Sequence, residues 1–95
     1  MEKGLKTPKQ IERHAKGIAN HYRIEILFVV AENADITVEG IAENLSANFK
    51  TISEHTHRLV KAGLINKKYK GRSVVHTLSP YGKQFHRFLR TFRHS

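Results

Sequence analysis

The sequence predicts a mainly α-helical fold with one small β-hairpin, in the order α-α-α-α-β-β-α. Apolar residues recur at helical spacing in four stretches between residues 8 and 62, and again after Pro80. Two short runs typical of β-strands lie on either side of Gly71. A chain of 95 residues has room for a single domain. We therefore expect one domain over residues 1–95, with a flexible segment at residues 1–7 and a separate C-terminal helix at residues 80–95.

Both prolines of the chain mark helix starts. Pro8 follows Thr7, and Pro80 follows Ser79. A hydroxyl side chain before a helix can accept a hydrogen bond from a free backbone N–H, and proline suits the first helical position because an N–H there would have no helical partner. The first helix is predicted to run from Pro8 to about Asn20.

Polar breaks bound the next two helices. The second helix is predicted to end within residues 33–35. Its expected inward positions are Ile24, Leu27, Phe28, Val30 and Ala31. Thr37 can cap a short third helix, which is followed by a break at residues 46–48. The expected inner face of this third helix is Ile41, Ala42 and Leu45.

The second half of the chain changes from helix to hairpin and back to helix. A fourth helix is predicted over residues 49–62, with Gly63 as its left-handed stop. Its expected inward side chains are Phe49, Ile52, Thr56, Leu59 and Val60. Residues 64–69 and 74–78 are predicted strands, joined by a turn at residues 70–73. The last helix carries an apolar stripe at helical spacing, formed by Phe85, Phe88, Leu89 and Phe92.

The charges are unevenly divided along the chain. Residues 1–54 contain seven Lys/Arg and eight Asp/Glu, whereas residues 55–95 contain ten Lys/Arg and no acid, so a net charge of −1 is followed by one of +10. This asymmetry is typical of a protein that binds a polyanion, because each cation near a phosphate releases a condensed counterion. A solvated surface that only maintains solubility is the simpler alternative. An acidic membrane surface is disfavoured because the basic half lacks a long amphipathic helix.

The chain contains no cysteine, which excludes disulfides, thiolate nucleophiles and metal sites built on sulfur. No carboxylate or glycine-rich phosphate loop accompanies the histidines, so enzymatic chemistry is not predicted. The start of the chain lacks an apolar run typical of a signal peptide, and the longest apolar block, residues 26–31, is too short to span a bilayer. We expect a cytoplasmic protein without membrane association.

The third and fourth helices form a helix-turn-helix pattern, and the basic hairpin after them forms a wing. The second helix of such a pair can enter the major groove of DNA, while wing cations reach the flanking phosphates. The predicted DNA-binding residues of this recognition helix and its preceding turn are Ser46, Asn48, Lys50, Thr51, Ser53, Glu54, His55, His57 and Arg58, with Lys61 also outward. Those of the wing are Lys67, Lys68, Lys70, Arg72 and Ser73. The same helix pair also packs in proteins that bind no DNA.

Individual roles follow from side-chain chemistry. Asn48 could pair with adenine, Lys50 with guanine, and Thr51 or Ser53 with a base edge or a phosphate. Glu54 could accept from cytosine N4, or it could pair with Arg58 four residues later, and the salt bridge is the preferred interpretation.

The chain resembles the ArsR-type winged helix-turn-helix repressors over residues 15–80. The matching segments are residues 22–27 (YRIEIL, the family's TRxxIL), 37–45 (TVEGIAENL, the scaffold helix), 51–55 (TISEH, TVSxH), 59–65 (LVKAGLI, LxxAGLV) and 71–78 (GRSVVHTL, the wing). The resemblance implies DNA binding by a homodimer whose contact is formed by the first and last helices. Thr56 departs from the family, which usually buries a leucine there, and the family's cysteine-bearing metal motif is impossible here.

Seven histidines raise the question of a metal site. His86 and His94 are eight residues apart and no acid lies beyond Glu54, which is poor spacing for a metal site. A site that joins either of them to His14 of a second subunit stays open as an alternative. Solvated histidines are the preferred interpretation, with His55 as a cap or a phosphate contact. No metal or cofactor is predicted, and the sequence does not identify a small-molecule effector.

The aromatic stripe of the last helix has three interpretations, because it could cover the domain's own core, hold a small apolar ligand or form a dimer contact. The dimer contact is preferred, so residues 80–95 are predicted as a dimerisation helix. The predicted dimer interface comprises Ile11, Ala15, Ile18, Phe85, Phe88, Leu89 and Phe92.

Together these features predict a sequence-specific, double-stranded DNA-binding transcriptional regulator. A homodimer would bind a pseudo-palindromic operator and repress by blocking polymerase access. The alternatives are a winged helix that binds other proteins and a non-specific nucleic-acid-binding module.

Overall fold

Five helices and a two-stranded antiparallel hairpin make up the described part of the computed structural model, residues 4–95. The elements are α1 (Pro8–Ile18), α2 (His21–Glu32), α3 (Val38–Leu45), α4 (Phe49–Lys61), β1 (Ile65–Lys70), β2 (Ser73–Leu78) and α5 (Pro80–Arg93). The predicted order of elements is confirmed. Of the segment expected to be flexible, residues 1–3 lie outside the described residues, while Lys6 lies 4.0 Å over the ring of Tyr81.

The two proline-started helices carry the expected caps. Thr7 Oγ1 accepts from the backbone N–H of Gln10, and Gln10 Oε1 accepts from that of Thr7, which makes a reciprocal capping box. Ser79 Oγ accepts from the Gly82 N–H at 3.0 Å and donates to the Gly63 carbonyl at 2.6 Å. The bond from Ser79 to Gly63 joins the start of α5 to the end of α4.

The core is centred on α2, which contacts all four other helices and β2. Ile26 and Val29 are buried, although the predicted apolar face omitted them, whereas Phe28 and Ala31 from that face are only half-buried. A helix surrounded by others is apolar on nearly all sides, so a one-sided pattern does not describe it. The buried apolar cluster comprises Ile18, Ile26, Leu27, Val29, Val30, Ile41, Ala42, Ile52, Leu59, Ala62, Leu64 and Ile65.

The fourth helix differs from its prediction at its first residue. Phe49 was expected to point inward, but 51% of it is exposed. Helical side chains lean toward the N-terminus, so the side chain of the first residue extends past the helix start, where no earlier turn covers it. Ile52, Thr56 and Leu59 are buried as expected.

The turn is shorter than predicted, because Lys70 and Ser73 pair with each other, and β1 begins at Ile65 and not at Leu64. The turn is the two-residue Gly71-Arg72, and Gly71 has a φ of 63°, as in a type II′ turn. His76 in β2 also exchanges backbone hydrogen bonds with residues 35 and 36, at 3.0 and 2.9 Å. The loop between α2 and α3 is thereby joined to the wing.

No helix within residues 4–95 has the length and apolar character needed to cross a membrane.

Candidate nucleic-acid interface

The turn between α3 and α4 sets the direction of the recognition helix. Ser46 ends α3 in the left-handed conformation, with a φ of 50°, and its N–H donates to the end of α3. It is exposed and belongs to the turn, not to α4. The ridge of α4 opposite the core is formed by the exposed residues Lys50, Glu54, His57, Arg58 and Lys61.

Asn48 has a structural role that its predicted pairing with adenine did not include. It is the N-cap of α4, and its Oδ1 accepts from the backbone N–H of Thr51 at 3.1 Å. Bidentate recognition of adenine needs both the oxygen and the amide of asparagine. The cap occupies one of the two lone pairs of Oδ1 and fixes the orientation of the side chain, so Asn48 would have to read adenine from that orientation.

A cleft of about 410 Å³ separates α4 from the wing, and we call it the wing cleft. Two predicted recognition-helix residues, Ser53 and His57, line it together with three predicted wing residues, Lys67, Arg72 and Ser73. Val74 and His76 line its wall on β2. The structure thus brings these five predicted residues into one concave surface, which Glu39 of α3 also lines.

The other two wing lysines face a carboxylate. Asp35 lies 3.6 Å from Lys68 Nζ and 3.4 Å from Lys70 Nζ, although it is more than 30 residues away in sequence. Within residues 4–95, neither Lys67 nor Arg72 pairs with an acid. The wing therefore divides into two partly neutralised lysines and two cations directed at the wing cleft. No local sequence signal pointed to Asp35.

Glu54 forms the salt bridge with Arg58 that was preferred over a contact with cytosine. Its carboxylate lies 3.2 Å from Arg58 Nη2, one helical turn later. Both side chains are exposed, so the pair contributes little to stability and can open when another partner approaches.

His55 is half-buried and packs against α2. Its ring stacks on Tyr22 with centroids 5.4 Å apart. Burial lowers the pKa of His55, and the positive charge of Arg23 lowers it further. Position 55 lies three residues after Ile52 and four before Leu59, so it shares their inward face. This spacing was visible in the sequence, and the predicted outward position was wrong.

The remaining histidines that raised the metal question have other contacts. His14 Nδ1 donates to the carbonyl oxygen of Ala62 at 2.8 Å and so joins α1 to the end of α4. Burial lowers the pKa of His86, whose ring meets the edge of Phe28. His94 caps the C-terminus of α5. No three metal-binding side chains group together in the described residues.

The predicted dimer residues divide into exposed and buried sets. Phe88 and Phe92 stack on each other with 59% and 66% of their surfaces exposed, and half of Ile11 is exposed. Ala15 is also exposed. Ile18 is different, because it is buried in the protomer core and has little surface left for a partner. Phe85 and Leu89 are half-buried and pack on the core, so the aromatic stripe both covers the core and offers an outer surface.

Comparison with known proteins identifies the fold. Residues 20–67 match the family described as bacterial regulatory protein, arsR family. Among solved structures, HlyU from Vibrio cholerae is 25% identical, with a TM-score of 0.82 and a match over 100% of both chains. The homodimeric winged helix-turn-helix DNA-binding domain of Mb0332 from Mycobacterium bovis is 22% identical, with a TM-score of 0.79, over 97% of this chain and 90% of that one.

A third similar structure is FabT from Streptococcus pneumoniae in complex with DNA. It is 16% identical, with a TM-score of 0.71, and the match covers 90% of this chain and 66% of that one. None of the curated proteins matches the sequence. The described elements thus form a winged helix-turn-helix.

Proposed function

Because the chain belongs to the ArsR family of bacterial regulatory proteins, we propose that it represses transcription in the cytoplasm by binding a pseudo-palindromic DNA operator as a homodimer. Membership of this family makes it a DNA-binding transcriptional regulator and not an enzyme. The operator, the repression and the residue roles below are the proposed part.

The observation that carries the proposal is the wing cleft. One wall presents Ser53 and His57 from the recognition helix, and the other presents Lys67 and Arg72 from the wing. The hydroxyl of Ser53, the imidazole of His57 and the ammonium group of Lys50 lie on the recognition helix, where they can reach base edges. The cations of the wing lie beside the groove, where they can reach phosphates. We assign the exposed ridge of α4, with Lys50 near its start, to the major groove and the wing to the flanking backbone.

The exposed apolar side chains of α1 and α5 support the homodimer. Phe88 and Phe92 stack on each other, and they and Ile11 are exposed apolar side chains that a second copy of the chain would cover. In a twofold dimer the two recognition helices would meet successive major grooves, about 34–36 Å apart. Such a dimer reads a site with the same symmetry, and while bound it blocks polymerase access to that DNA.

Fluorescence anisotropy of a labelled 30-base-pair duplex, measured over a series of salt concentrations, tests DNA binding. We expect the logarithm of the binding constant to fall linearly with the logarithm of salt concentration, with a slope of about −0.9 per phosphate contacted. A selected duplex should bind about 10³-fold or more tightly than a random one. Equal affinity for all duplexes, or no binding at low salt, would contradict the proposal.

A further inference from the structure

A second cleft lies on the other side of α4, between the end of α1 and the start of α2. Its volume is about 780 Å³, and we call it the basic cleft. Its charged and titratable lining residues are Lys16, Arg23, Glu54, His57, Arg58 and Lys61. The carboxylate of Glu54 pairs with Arg58, and Lys16 pairs with Glu12 outside the cleft at 3.7 Å. Arg23 and Lys61 form no salt bridge within residues 4–95, so positive charge is in excess.

Arg23 is the least exposed cation of the basic cleft. It lies in the first turn of α2, where its N–H and that of Tyr22 donate to the capping Asn20 side chain. Its side-chain Nε is buried and has no hydrogen-bond partner among the described residues. A buried donor without an acceptor is rare in a folded protein. Because Arg23 lines the cleft, a phosphate bound there would give its guanidinium an acceptor that the described residues do not supply.

The two clefts flank the exposed ridge of α4. Ser53 lines the wing cleft, Arg58 lines the basic cleft, and His57 on the ridge between them lines both. Ser53 and Arg58 are five residues apart, which places them about 140° apart around a helix. If α4 inserts into a groove of DNA, the DNA would therefore meet cations on both sides of the helix.

We propose that the basic cleft binds the phosphodiester backbone of DNA on the side of α4 opposite the wing, with Lys16 and Arg23 as the contacts supplied from outside the helix-turn-helix. This inference rests on the proposed function. Lys16 and Gly17 belong to α1, the helix that we propose contacts the partner, so we place the basic cleft on the side of α4 nearer the partner. In a dimer the two basic clefts grip phosphates near the centre of the operator, and the wings grip phosphates near its ends.

The test compares Lys16→Gln and Arg23→Gln with Lys9→Gln, which removes an equal charge from an exposed position of α1 outside the cleft. Binding to the selected duplex is measured over a salt series. Lys16→Gln and Arg23→Gln should each flatten the slope by about 0.9, the effect of one lost phosphate contact, without changing which duplex is preferred. Lys9→Gln should leave the slope unchanged.

Single methylphosphonate linkages, which remove one phosphate charge at a time, locate the contact. Neutral linkages near the duplex centre should weaken wild-type binding and should have no further effect on Arg23→Gln. Since the Lys16 side chain is mostly exposed, Lys16→Gln keeps the test valid if Arg23→Gln is unstable. If both cleft variants keep the wild-type salt slope, phosphate binding by the basic cleft is wrong but the proposed function stands. If the wild-type protein binds no duplex, the proposed function is wrong as well.

Discussion

Asn48 and Thr51 are joined by a hydrogen bond in which Asn48 Oδ1 accepts from the Thr51 backbone N–H over 3.1 Å. This bond fixes the first turn of the recognition helix, next to Lys50, the residue proposed to read a base. We therefore expect the stability of the helix start and the reading of DNA to be coupled at Asn48.

Asn48→Ala should lower the free energy of unfolding by about 1 kcal/mol, because a backbone N–H loses its cap. Asn48→Asp keeps an acceptor at the same position and should stay within about 0.5 kcal/mol of wild type. Urea denaturation followed by circular dichroism measures both values. Equal stability of the alanine and aspartate variants would show that the cap contributes nothing.

Asp35→Asn should strengthen DNA binding by roughly two- to fivefold at low salt, because it frees Lys68 and Lys70 from a competing carboxylate. Asparagine tolerates the left-handed backbone of this position, where φ is 64°. Glu25→Gln is the matched control, since it removes a carboxylate beside α5, away from the wing. Weaker binding by Asp35→Asn in anisotropy titrations would argue that Asp35 orients the wing lysines.

Lys50→Ala and Arg72→Ala should separate base reading from backbone contact. Lys50→Ala should reduce the preference for the selected duplex by about 1–3 kcal/mol at one base position. Arg72→Ala should weaken binding to all duplexes and flatten the salt slope by about one unit. Competition binding with single-base variants of the selected duplex measures the difference. If the two variants behave alike, the assignment of helix and wing fails.

Thr56→Val should raise the free energy of unfolding by about 1 kcal/mol. Thr56 is 2% exposed, and its Oγ1 is buried without a hydrogen-bond partner in the described structure. Replacing an unsatisfied buried hydroxyl by a methyl group removes a desolvation penalty. Thr91→Val is the control, because that exposed hydroxyl donates to the Arg87 carbonyl and gives no such gain. A destabilised Thr56→Val variant would mean that the hydroxyl has a partner.

Phe88→Asp should give monomers with much weaker DNA binding, because a charge would replace an apolar side chain at the proposed dimer surface. Phe88→Leu keeps the surface apolar and should stay dimeric. Sedimentation equilibrium gives the mass of each variant, and circular dichroism confirms that an exposed substitution leaves the fold intact. A dimeric Phe88→Asp variant would remove α5 from the interface.

The features that the sequence predicted well are local ones. The caps at Thr7 and Ser79, the stop at Gly63 and the salt bridge of Glu54 depend on residues within a few positions of one another. Chain order was enough to predict them.

The features that the sequence did not predict depend on packing between distant segments. Asp35 reaches the wing across more than 30 residues, and Arg23 reaches the recognition helix from another element. Val29 is buried because α2 is surrounded by other helices, which no one-sided helical pattern indicates. His55 is the exception, since its inward position followed from its spacing to Ile52 and Leu59.

Selection of bound sequences from a random duplex pool, with the full chain as bait, tests the central claim most directly. We predict enrichment of one pseudo-palindrome whose half-sites are about one helical turn apart, bound by two copies of the chain. Recovery of a pool with no common sequence, or of a single unrepeated half-site bound by one copy, would contradict it.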